Sequence, residues 1–325
     1  MSRASADPII EHPIEWLLEM DNPSVRYFTL TRLLNCTSCA QDVETTLQAI
    51  MHSGPVPAIL ARQQPEGWWD NPQYATKPLY TSTSWQLMYL AELAADPSHP
   101  GIRRAVELVL NTVQTPQGDF PAQGSKFHKF KPTDMLCNDG LNIWTLLRLG
   151  PGLDDPRIRL AVEFLAESAL ATNLECRFNG EKMCAWAAAK TLRALAEIHP
   201  ARRSEKVQAA IHKIADLLLD KNLARADYPI RPDGKVSQHW FKLGFPRSYQ
   251  SDILQCMVIF ADLGMAGDPR LQPAIRFLVD KSRPDGVCKL EETIQKMPVQ
   301  FETKNKPSKW LTWQALYVLK AAGYD

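Results

Sequence analysis

The stretch Gln63-Gln64-Pro65-Glu66-Gly67-Trp68-Trp69-Asp70 returns in altered form along the chain: TPQGDF around Gly118, RFNGEK around Gly180, RPDGKV around Gly234 and RPDGVC around Gly286. The glycines stand 51, 62, 54 and 52 residues apart, and self-similarity at such a period is the signature of a repeat architecture. Each echo follows a segment that opens with Pro and then places apolar residues three and four apart. Examples are HPGIRRAVELVL from His99, DPRIRLAVEFLA from Asp155 and DPRLQPAIRFLV from Asp268. Similar amphipathic helices are predicted from Arg203 to Asp220 and from Pro23 to Leu34.

A second class of segment alternates with the first: TSTSWQLMYLAELA, CNDGLNIWTLLRL, CAWAAAKTLRALAEI, QSDILQCMVIFADL and LTWQALYVLKAAG. These are small or apolar on most faces, and a helix of that kind must be buried on most faces. Each repeat therefore reads as a hairpin of one outer and one inner helix, for which about 50 residues suffice. No period-two alternation of useful length is present, so the predicted class is all-α. Connections from inner to outer helices are short (AADPSH, GPGLDD, GMAGDP), whereas those from outer to inner are long, as in residues 115 to 133, 222 to 248 and 284 to 309. The alternation gathers every long loop at one end, where binding residues are expected.

At 325 residues and 45% hydrophobic content the chain can bury one sizeable core. Lys and Arg total 37 against 36 for Asp and Glu, so no global field steers the chain toward nucleic acid or an anionic membrane. The N-terminal MSRASADPIIEHPIEW has no apolar run of signal-peptide length, and no stretch approaches the roughly 20 apolar residues of a membrane span; a cytoplasmic location is the expectation. Seven cysteines without a secretory signal argue against a disulfide framework. The CTSC stretch at Cys36 to Cys39 lies between the first two helical segments and reads as structural.

With its outer helices ending in a Gly-aromatic turn and its inner helices bearing Trp, the sequence resembles the α/α toroids of squalene and terpene cyclases and of protein prenyltransferase β subunits. QQPEGWWD is similar to the QW-type repeat motif of the cyclases, in which the resemblance implies that Gln and Trp tie adjacent repeats together. Almost the whole chain looks like single-domain bacterial toroids that begin with a WLLEMDNPSVRYFTLTRLL-like segment and end with a PSKWLTWQALYVLKAAG-like one. The implied fold is one α/α toroid over residues 1–325, of about five to six hairpins, with residues 1–64 completing the barrel. DMLCND, with Asp134 and Asp139, is the nearest match to the acidic motif of protonating cyclases, but its carboxylates are too sparse for that pattern. No segment reproduces the local motif of the prenyltransferase zinc site.

In a toroid the inner-helix N-termini point to the long-loop end. Cys137 and Asp139 start one inner helix, Cys184 the next and Asp252 the one after, while Cys176, Cys288, His128 and His239 lie in the preceding loops. Three readings of the thiols stand side by side. They are buried packing residues; or nucleophiles activated at helix N-termini; or, as Cys137, Cys176 and Cys184 with His128 or His239, ligands to zinc or iron. Cys256 is expected in the core. The candidate catalytic set is Cys137, Asp134, Asp139 and Asp252. Trp68, Trp69, Tyr80, Trp85, Trp240, Tyr249 and Trp310 are expected to wall a cavity for a small apolar ligand, with His128 and Arg247 beside them. Trp144, Trp186 and Trp313 are assigned to packing between repeats. Lys126, Lys129 and Lys131, then Lys242 and Arg247, then Lys304, Lys306 and Lys309 fall in three successive long loops and could hold an anionic head group. The expected function is an enzyme enclosing a small, largely apolar, isoprenoid-like substrate and acting on it with Cys, Asp or metal-assisted chemistry. The alternatives are a ligand- or protein-binding toroid and a subunit that needs a protein partner.

Overall fold

Pro at the first helical turn and an Asp, Asn or Ser cap before it set most helix starts. Asn22 accepts from Val25 N–H, Asp155 from Arg157, Ser204 from Val207, Asp252 from Gln255 and Ser308 from Leu311. The computed structural model describes residues 12–123, 131–225, 231 and 233–324. In chain order its α-helices are α1 (Pro13–Leu17), α2 (Pro23–Phe28, continued by a π-helical turn Thr29–Leu33), α3 (Ala40–His52), α4 (Pro55–Leu60), α5 (Thr83–Glu92), α6 (Pro100–Thr112) and α7 (Leu136–Leu149), followed by α8 (Pro156–Ala171), α9 (Ala185–Ala196), α10 (Glu205–Leu219), α11 (Ile253–Asp262), α12 (Gln272–Lys281) and α13 (Lys309–Ala321). Two short strands, β1 (Glu175–Cys176) and β2 (Lys182–Met183), pair antiparallel around the Gly180 turn, Glu175 opposite Met183 and Cys176 opposite Lys182.

The two helix classes separate by burial. Every residue of α5 is buried, whereas α6 buries only a stripe of Ile102, Ala105, Val106, Val109 and Leu110 beside Gly101. Helices α5, α7, α9, α11 and α13 pack in succession, α13 returns against α2 and its π-helical turn, and Ser24 of α2 donates to the carbonyl of Leu93 at the end of α5 (2.7 Å), so six inner helices close a ring. Helices α3, α6, α8, α10 and α12 lie outside it. The chain is an all-α, α/α toroid. Between α7 and α9 the backbones meet closely at Gly140, where an added Cβ would lie 2.6 Å from the carbonyl of Lys190. No helix among the described residues is long and apolar enough to cross a membrane.

The repeated turn is a fastener. Gln63 Nε2 donates to the carbonyl of Gly67 in its own turn (2.9 Å) and to Gly101 at the start of the next outer helix (2.8 Å). Gln114 does the same toward Gly118 (3.5 Å) and Arg157 (2.7 Å). The residue two places after the turn glycine then gives its N–H to a side chain early in the following inner helix: Trp69 to Thr83, Phe120 to Asp139 and Cys288 to Thr312. Around the outside, Arg157 pairs with Asp155 and Glu107, and Arg270 with Asp268, Asp220 and Asp216, linking neighbouring outer helices. Cys36 and Cys39 are disulfide-bonded just before α3, a correction to the expectation that all seven thiols are free or ligand-bearing; their closeness in sequence carried no information about pairing.

Candidate functional site

The long-loop end is closed by a buried segment, residues 243–248, that runs across the ring before α11. Asp252 holds it: one carboxylate oxygen accepts from Gly244 N–H (2.9 Å) while the other caps α11 through Gln255 N–H (2.8 Å). Phe245 stacks on Trp310, ring centroids 4.0 Å apart. Burial raises the carboxyl pKa of Asp252, and burial likewise raises that of Asp139, whose carboxylate accepts from Phe120. Both aspartates thus carry the scaffold role that Thr83 and Thr312 carry elsewhere. Asp134 sits outside the core on the loop before α7, accepting from Lys131 N–H with Arg177 4.0 Å away.

Beside this closing segment lies a cleft of about 320 Å³ walled by Tyr80, His239, Arg247, Ser248, Glu292 and Lys304. His239 Nδ1 is 2.7 Å from a Glu292 oxygen. The same carboxylate faces Arg247 (3.3 Å) and Lys242 (3.7 Å), and Arg247 also donates to the carbonyl of His239 (3.3 Å). Two loops, 238–248 and 291–304, are joined in this way, with half-exposed His239 on the open side and buried Arg247 behind it. A carboxylate on Nδ1 fixes an imidazole's orientation and leaves Nε2 free to accept or release a proton.

Tyr80 extends the cleft inward. It adopts a left-handed backbone conformation (φ 73°), costly for a bulky residue, and is held there by Gln86 and Tyr89, both donating to its carbonyl. Its ring packs edge-on to Trp85 (5.0 Å), Trp85 lies 6.2 Å from Tyr249, and burial together with the neighbouring Tyr80 pushes the phenol of Tyr249 up to about 12. Cys137 faces this group from α7, its thiol pushed up to about 12 by burial. Next to it Cys176 and Cys184 are neighbours, and their proximity lowers the pKa of Cys176 while Cys176 and burial raise that of Cys184. Cys137, Cys176 and Cys184, from three separate segments, are thus electrostatic neighbours.

Other candidates lie elsewhere. His239 is engaged with Glu292 and does not join the thiols, and among the described residues no three or more His, Cys, Asp or Glu are grouped to hold a metal ion. Among the described residues the donor set of the zinc or iron reading is not assembled. Trp69 and Trp240 are fully packed, their indole N–H groups bonded to the carbonyls of Ile59 and Leu223. Trp68 is half-buried on the first turn. Cys256 and Cys288 are core residues. His128, Lys126 and Lys129 fall outside the described residues. Glu292 carries little signal in the sequence beyond its place in the long loop of residues 284 to 309, between two lysine-bearing stretches.

The ring interior differs from the apolar hollow expected. Below Arg247 is a cavity of about 60 Å³ bordered by Glu92, Arg148, Arg193, Glu197, Arg32 and Asp262. Trp144 and Trp313 also border it and are not confined to packing between repeats, because the helix faces that carry them turn inward. Arg193 forms a bidentate pair with Glu92 (2.7 and 2.8 Å) and stacks on Trp144, 3.6 Å from the ring centre. Arg148 pairs with Glu197, and Arg32 pairs with Asp262 and lies over Tyr317.

No protein-family model matches the chain, and no curated protein matches it. The apo structure of the type II terpene cyclase MstE from Scytonema is similar at 14% identity, covering 93% of this chain and 88% of that one, with a TM-score of 0.44. A complex of a variant of that cyclase with geranylgeranyl dihydroxybenzoate is similar at 13% identity, covering 95% and 98%, with a TM-score of 0.44. The unsaturated glucuronyl hydrolase from Bacillus sp. GL1 is similar at 11% identity, covering 97% and 86%, with a TM-score of 0.42.

Proposed function

We propose that the chain is an enzyme that takes a small substrate with an apolar body and an anionic head group into the long-loop-end cleft, with His239 moving a proton in the reaction. The observation that carries this reading is the His239–Glu292 pair at 2.7 Å inside a cleft of about 320 Å³. In this reading Glu292 orients the imidazole, so that Nε2 acts as general base and then acid. Lys304 and Lys296, on the cleft wall, balance the charge of a carboxylate or diphosphate head. Tyr80, backed by Trp85 and Tyr249, offers ring faces to the apolar part. Asp139 and Asp252 serve as scaffold in this scheme, because both carboxylates are spent on backbone N–H groups. The substrate is isoprenoid-like.

The test compares farnesyl diphosphate, farnesol and inorganic pyrophosphate by isothermal titration calorimetry, followed by mass spectrometry of products after incubation. The intact amphiphile should bind more tightly than either fragment. His239→Ala should remove turnover while binding stays within about threefold, and Glu292→Gln should lower kcat more than it raises KM. Wild-type protein that neither binds nor converts farnesyl diphosphate refutes the reading. A second reading, covalent chemistry by Cys176, is favoured by the neighbouring Cys184, which lowers the pKa of its thiol.

A further inference from the structure

Arg247 stands behind the cleft with only 7% of its side chain exposed and acceptors on each side of its guanidinium. Nη1 lies 3.3 Å from one oxygen of Glu292, Nη2 donates to the carbonyl of His239 (3.3 Å), and Nε faces the buried carboxylate of Asp252 at 3.5 Å. The other Glu292 oxygen is the one beside His239 Nδ1. The main chain of Glu292 is fixed as well: its N–H donates to the carbonyl of Leu243 (3.1 Å) and its carbonyl accepts from Phe245 (3.2 Å). Its carboxylate, at the end of a flexible side chain, keeps a rotation that only its ionic partners restrain. Lys242, half-exposed at 3.7 Å, attracts it from the solvent side, whereas Arg247 holds it from within. An ammonium is a point charge that sets no plane; a guanidinium sets distance and direction together. Gly244 leaves the guanidinium its place. A Cβ there would run into Arg247 Nη1 and lie 2.8 Å from the carbonyl oxygen of Glu292, while the Gly244 N–H is itself bonded to Asp252.

We propose that Arg247 is a positioning residue: anchored by Asp252, it directs the Glu292 carboxylate at His239 Nδ1, so that the imidazole keeps its proton on Nδ1 and leaves the Nε2 lone pair to the cleft. Asp252, at the start of α11, thereby acts on His239 through intervening side chains, and Arg247 serves the geometry of the cleft rather than holding a head group. Without the guanidinium, Glu292 is left with Lys242 on the open side and turns away from Nδ1. The consequence for turnover rests on the His239 reading of the cleft; the placement of the imidazole proton does not, and it can be measured with no substrate present.

The full chain, labelled with ¹⁵N, is studied at about pH 8.5, where a free imidazole is neutral, by correlation spectra that show which ring nitrogen carries the proton. The His239 signals, assigned by their loss in His239→Ala, should show the Nδ1–H form in wild type. Arg247→Met keeps an apolar stem and removes the guanidinium, and should return His239 to the Nε2–H form that an unrestrained imidazole favours. Gly244→Ala, which displaces the guanidinium without removing it, should do so in part, and Arg247→Lys should not restore the wild-type signal. With farnesyl diphosphate as substrate, kcat should fall about a hundredfold in Arg247→Met while KM stays within about threefold. A wild-type Nδ1–H signal that Arg247→Met abolishes, in a protein without turnover, refutes the cleft chemistry and supports the positioning role. The Nε2–H form in wild type, the Nδ1–H form retained in Arg247→Met, or an unchanged kcat overturns the proposal. Gly244→Ala decides the matter where Arg247→Met fails to fold.

Discussion

Glu302 offers a direct measure of how the toroid fastens its last inner helix. One carboxylate oxygen accepts from the N–H groups of Lys309 (2.8 Å) and Trp310 (3.3 Å) at the start of α13, and the other accepts from the hydroxyl of Ser308. Burial outweighs these bonds and raises the carboxyl from its ordinary 4.5 to about 7. The folded protein therefore holds a proton that the unfolded chain has released between about pH 4.5 and 7. By linkage the associated stability is fully present below pH 4.5 and is lost as pH rises through 7. At about 1.4 kcal/mol for each pH unit of late titration, the loss amounts to about 3 kcal/mol. In Glu302→Gln the amide oxygen still accepts the two backbone donors and the Ser308 hydroxyl turns to accept from the new NH₂, so the contacts survive while the titration disappears. Urea unfolding at pH 5, 6, 7 and 8 should show wild type losing about 3 kcal/mol more than the variant across the series, with the variant the more stable protein at pH 8. Asp139 and Asp252 titrate with the same sign, but both proteins keep them, so their share cancels in the difference. Parallel curves for the two proteins would refute the reasoning.

Gly140→Ala places a methyl 2.6 Å from the Lys190 carbonyl carbon and oxygen, against backbone that cannot rotate away, so α7 and α9 must part. A loss of about 3 kcal/mol in urea unfolding is expected, and a change under 1 kcal/mol would show that the close approach is not needed. Mild oxidation with diamide should join Cys176 and Cys184, reversibly with dithiothreitol, because the two thiols lie near enough to shift each other's pKa; Cys256 and Cys288, buried apart in the core, should still be free when the unfolded product is alkylated. Peptide mapping that finds no Cys176–Cys184 crosslink would count against that geometry.

The ring could be read from the chain because its determinants are local and repeated. Gln63 and Gln114 precede their turn glycines by four residues, and the bonds each makes, one within the turn and one to the next outer helix, follow from that spacing once the helices stack. The contrast between α5, buried all round, and α6, buried along one stripe, is likewise a pattern of side-chain character that a sequence displays. The cleft was legible only in part. Tyr80, His239 and Arg247 could be assigned to the loop-rich end by topology, yet the partner that orients His239 lies 53 residues further on in an irregular loop, where no periodicity records which side chains will meet.

The aspartates show how the same residue type misdirects. An Asp at the start of an inner helix in a cavity-forming fold invites an acid–base reading, but the first turn of a helix and the turn before it both carry N–H groups that need acceptors. Asp139 answers such a need in Phe120, as Thr83 does in Trp69, and Thr in the equivalent place is the sequence clue that a carboxylate there is not required for its charge. The opposite clue lay in the inner helices. Lys190 and Arg193 in α9, and Arg148 in α7, sit in segments otherwise too apolar to face water on any side. A cation on such a helix must either leave the core or find counter-charges within it, since burying it alone costs several kcal/mol. Six helices in a closed ring offer it only the centre, so the composition of α7 and α9 already implied a charged interior with acidic partners on the neighbouring helices. Glu92 on α5 is that partner for Arg193 and Glu197, just beyond α9, for Arg148, while the buried Lys190 is met by Gln255 on α11.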